Sequence, residues 1–105
     1  MAELLQFYFY VPDSHLETVK EAVFCAGAGK IGEYEACAWQ VRGIGQFRPG
    51  AGANPFIGTP GKAEAIEEWR VEMVLEPALK DTVLQAFRQA HPYEEPAYGF
   101  IRIEV

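Results

Sequence analysis

The sequence is short of cysteine, histidine, basic charge and long apolar runs, and each shortage removes a class of protein. Two cysteines, Cys25 and Cys37, make no disulfide framework and lack CxxC spacing. The two histidines, His15 and His91, stand far apart, so neither has a local histidine partner. Lys+Arg total 9 against 15 Asp+Glu, a formal net charge of −6, and the basic residues are scattered singly. A nucleic-acid binder gathers cations to neutralise phosphates, so no nucleic-acid partner is expected. No apolar run approaches the ~20 residues of a membrane span. The opening MAELLQFYFYVPDSH has neither a basic n-region nor a small-residue cleavage site. Together these point to a cytoplasmic protein without a membrane partner.

What is present suits one domain, residues 1–105. Half the residues are hydrophobic and 13% are aromatic, enough to build a single core. LLQFYFYV (4–11) alternates with period two, placing Leu5, Phe7, Phe9 and Val11 on one face of a strand. Ser14 and Glu17 have capping-box spacing ahead of a helix carrying Leu16, Val19 and Val23. Gly27 and Gly29 suit the end of that helix, because glycine accepts a left-handed cap. A second strand is expected over roughly Tyr34 to Val41, and a third in EEWRVEMVLE, where Trp69, Val71, Met73 and Leu75 alternate with charged residues. Pro77 opens a second helix with Leu79, Val83, Phe87 and Ala90 as its buried stripe. The last strand is YGFIRIEV (98–105).

The order β-α-β-β-α-β predicts an α+β, ferredoxin-like sandwich: a four-stranded antiparallel sheet with both helices on one face. Tyr8, Tyr10, Cys37, Trp39 and Val74 then fall on, or near, the face without helices. An apolar patch of that size points to association with further copies of the chain.

Two phosphate-binding motifs fail on context. GAGKIG (27–32) matches G-x-G-x-x-G, but it closes a helix, where the dipole has the wrong sign for phosphate. GTPGKAE (58–64) has Phe56 and Ala63 where a P-loop needs glycine and a hydroxyl residue. The long stretch GIGQFRPGAGANPFIGTPG (43–61) holds six of ten glycines and three of seven prolines. Loops of this length are often functional. Its backbone N–H groups and Arg48 suit an anion, whereas Phe47, Phe56 and Ile57 suit docking on a neighbouring subunit or plain structure. Both cysteines read as small hydrophobes within a strand and a helix, and His15 as a solvated residue.

AHPYEEPAY (90–98) is the densest cluster of chemistry-bearing side chains. His91 with Glu94 or Glu95 is a candidate acid/base pair or a pair of divalent-metal ligands. The structural reading uses every residue: His91 as a cation at a helix C-terminus, Pro92 ending that helix, and Pro96 leading into a strand.

CAWQ, GIGQFRPGAGANPFIG, RVEMV and AHPYEEPAY together resemble the inserted domain of the YqfO-type, NIF-three-like proteins, here as a stand-alone domain over essentially the whole chain. The HPYE-x-P pattern also resembles CutA, the trimeric divalent-cation-tolerance protein, whose shape is related to the PII signalling proteins. The resemblance implies a CutA/PII-like fold and a homo-oligomer, a trimer, without implying an enzyme or any catalytic residue. Gln46, Phe47, Arg48, Asn54, His91, Tyr93 and Glu94 become candidate ligand or interface positions. The expected function is a regulatory module that binds a small effector, an ion or a protein partner at subunit interfaces, with no cofactor. The alternative is a divalent-metal binder using His91, Glu94 and Glu95.

Overall fold

A computed structural model describes residues 3–105. Four strands and two helices follow the expected order: β1 Glu3–Pro12, α1 Leu16–Cys25, β2 Trp39–Phe47, β3 Glu64–Leu75, α2 Lys80–Ala90 and β4 Tyr98–Glu104. All pairings are antiparallel, in the order β2-β3-β1-β4. This is the ferredoxin-like sandwich.

The core follows from the alternation. Leu5, Phe7, Phe9 and Val11 of β1 are buried beside Val71, Met73 and Leu75 of β3, under Val19, Val23, Val83 and Phe87 of the helices. Phe7 stacks on Phe100 at 4.6 Å and meets Phe87 edge-on at 5.3 Å. Each such ring contributes roughly 1.5–3 kcal/mol by leaving water. The remaining face carries Tyr8 and Tyr10, with Val41 and Trp39 brought alongside by register with Arg70 and Glu72. The Arg70 guanidinium lies 4.4 Å over the Tyr8 ring and donates to the Tyr10 hydroxyl at 2.6 Å and to Glu72 at 2.9 Å. The hydrogen bond to Glu72 raises its pKa.

Several expectations are corrected. The second strand starts at Trp39, because residues 31–34 close a small turn in which Ile31 and Tyr34 exchange backbone bonds. It then runs through Gly43 and Gly45 to Phe47, so the connecting loop covers residues 48–63. Gly45 is a strand residue for a packing reason: a methyl group there would overlap the Glu68 carboxylate. The Ser14–Glu17 capping box does not form. Residues Asp13–His15 make a 3₁₀ turn, and Ser14 Oγ instead meets His15 Nδ1 at 2.8 Å. Cys37 precedes the strand and is partly exposed, and Cys25 is exposed at the end of α1, so neither is a core residue. Gly27 and Gly29 do close α1, with φ of 111° and 82°.

The 48–63 loop is tied back onto its own chain. Its neck is closed by Gly61 N–H donating to the Pro49 carbonyl at 2.8 Å, and Pro49 is buried. His15 is half-buried rather than solvated, its ring 5.4 Å from Phe56.

Candidate functional site

The chain leaves α2 at His91, where a proline forbids another helical turn, and reverses through residues 92–97 into β4. His91 is buried, and both ring nitrogens are used. Nε2 donates to the Tyr10 carbonyl at 2.8 Å, and Nδ1 accepts from the Tyr93 backbone N–H at 3.1 Å. Those bonds select the neutral tautomer with the proton on Nε2. Burial lowers the His91 pKa, against the pull of the bond to Tyr10. The expected helix-terminal cation is therefore a neutral strut. An acid/base or metal role for this ring would require breaking one of the two bonds that hold the turn.

Tyr93 follows. Its ring lies 4.8 Å from that of His91, and its hydroxyl donates to Glu68 of β3 at 2.9 Å through the space that Gly45 leaves open. Burial, then the bond to Glu68, pushes the phenol pKa up, so Tyr93 stays a donor. Glu94 accepts the Asn54 backbone N–H at 3.1 Å, tying the 48–63 loop to the turn.

Between loop and turn lies a cavity of about 420 Å³ with Gly45 and Tyr10 on its sheet side. Gln46, Phe47, Arg48, Tyr93 and Glu94 all line it, as does Glu95. Among the candidates from sequence, His91 stands behind Tyr93 as its support, and Asn54 acts through its backbone. Sequence reasoning missed Tyr10, Glu68 and Phe56 as lining residues. In sequence, Phe56 reads as a docking or structural residue, and Glu68 as one of the charged residues alternating along the third strand. No group of three or more His, Cys, Asp or Glu side chains is placed to hold a metal among the described residues. Among the described residues, no helix is long and apolar enough to cross a membrane.

No family model matches the chain. It is 48% identical over 103 residues to the GTP cyclohydrolase 1 type 2 homolog of Mycobacterium leprae, an alignment covering 98% of this chain and 27% of that protein. Among solved structures, a Bacillus cereus protein related to NIF3 superimposes with a TM-score of 0.84 at 36% identity, over 98% of this chain and 26% of that one. CutA from Archaeoglobus fulgidus gives 0.69 at 18% identity, covering 97% of this chain and 85% of its own. A GlnK–ATP complex from B. subtilis gives 0.64 at 10% identity, covering 96% and 82%. These last two likenesses concern the fold alone. The chain spans about a quarter of the length of the curated relatives it matches.

Proposed function

We propose that this chain, the homologue of one segment of the NIF3-related proteins and CutA/PII-like in fold, is a non-enzymatic regulatory module that oligomerises and binds a small effector at a subunit interface. One observation carries the reading: Tyr10 belongs both to the helix-free sheet face and to the cavity lining. A second copy docked on that face sits against the cavity mouth. Exposed Trp39 and Val41 supply the apolar contact for such docking. The resemblance to CutA favours a trimer.

The divalent-metal alternative has less support, because His91 already spends both nitrogens on the backbone. Native mass spectrometry of untagged protein, purified without chelator, tests the proposal. A closed oligomer carrying extra mass is expected. A monomer at micromolar concentration overturns it.

A further inference from the structure

The lining of the cavity narrows the chemistry of its ligand. Three aromatic rings gather there: Phe47 and Phe56 lie 6.4 Å and 6.3 Å from Tyr93, tilted by 51° and 46°. Tilted at these angles, neither phenylalanine ring lies flat over the Tyr93 ring. Three carboxylates, Glu68, Glu94 and Glu95, line the same space against one cation, Arg48. Two are already oriented, Glu68 by the Tyr93 hydroxyl and Glu94 by the Asn54 N–H. Each of those bonds uses only part of a carboxylate's acceptor capacity. Arg48 is exposed and makes no ion pair among the described residues, so the carboxylates stay in excess.

An anion entering this cavity would meet that excess with one guanidinium to answer it. A cation is attracted by the carboxylates and by the ring faces together. A bare ammonium is strongly hydrated, whereas an alkylated one sheds water more readily and fills apolar space. The volume is within the range of about 300–1,000 Å³ usual for small-molecule sites.

We propose that the cavity binds a small organic cation, an alkylated ammonium group, seated against Phe47, Phe56 and Tyr93 with Glu94 and Glu95 as its counter-charges. This rests on the reading of the chain as an effector-binding module and names the effector's class.

The test is an NMR titration of the whole chain with three probes: choline, its neutral isostere 3,3-dimethylbutan-1-ol, and ATP. Choline is expected to shift the Phe47, Phe56 and Tyr93 ring signals and to bind at least about tenfold more tightly than the isostere. Phe56→Leu, at an exposed ring, and Glu94→Gln combined with Glu95→Gln are each expected to weaken choline by about fivefold or more, with unchanged melting. Equal binding of the isostere, tighter binding of ATP, or no response to choline overturns the cation assignment while leaving the oligomeric module standing. A monomer in native mass spectrometry overturns the interface reading, and the ratio of choline to isostere is still read on the single chain.

Discussion

His91 Nε2 lies 2.8 Å from the carbonyl oxygen of Tyr10, so one imidazole joins the end of α2 to the middle of the sheet. Its other nitrogen holds the backbone of Tyr93, the residue that turns toward the cavity. A ring bonded at both ends in a buried place fixes the turn more firmly than a proline alone does.

Removing that ring leaves a buried carbonyl and an amide without partners. His91→Ala is expected to cost about 2–4 kcal/mol in a urea melt, combining the lost bonds with the void. A melt unchanged from the parent would mean that water replaces both bonds.

The same residue makes stability depend on pH. Burial lowers the folded pKa of His91, so the unfolded chain takes up this proton first, near pH ~6.5. The contribution is level above that pH and is lost as pH falls below it, at up to about 1.4 kcal/mol per pH unit. Urea midpoints compared between about pH 7.5 and about pH 5 should show the fall, and His91→Gln should remove most of it.

Gly45, Glu68 and Tyr93 act as a unit. Gly45→Ala is expected to displace the Glu68 carboxylate and release the Tyr93 hydroxyl, costing about 1–2 kcal/mol. Tyr93→Phe should cost a similar amount, and the double variant less than the two together. Strict additivity in that cycle would show that the three are independent.

Trp39 is 62% exposed on the helix-free face. Trp39→Lys, which sets a cation opposite Glu72, is expected to shift the proposed assembly toward monomer in light scattering, with a change in the chain's own stability within about 0.5 kcal/mol. An oligomer that survives the substitution would place the contact elsewhere.

The architecture was legible because its signals are local. Leu5, Phe7, Phe9 and Val11 repeat every second residue, and Leu16, Val19 and Val23 recur at helical spacing, which sets the sandwich. Glycine misled here: Gly43 and Gly45 read as loop, yet they pair with Glu68 and Ile66 inside the hairpin, and only at Gly45 does packing against Glu68 call for glycine. His91 was legible as a junction residue but was assigned a charge, since neither the carbonyl of Tyr10 nor the depth of burial is encoded nearby. The candidate positions Gln46, Phe47, Arg48, Tyr93 and Glu94 came from family motifs and meet in one cavity. Tyr10 escaped because it lies on a strand remote in sequence from both motifs, and Glu68 because its alternation in β3 reads only as the polar side of a strand.

The bond between Gly61 and Pro49 has a consequence for how such chains diverge. A neck closed at the sheet makes the residues beyond it an exchangeable cassette. Doubling the length of such a loop adds only about 0.6 kcal/mol of closure entropy. Insertions there can therefore rewrite one wall of the cavity while the strand register and the His91 strut stay as they are. On the effector-binding proposal, a change confined to that wall would alter what the cavity accepts without touching the scaffold.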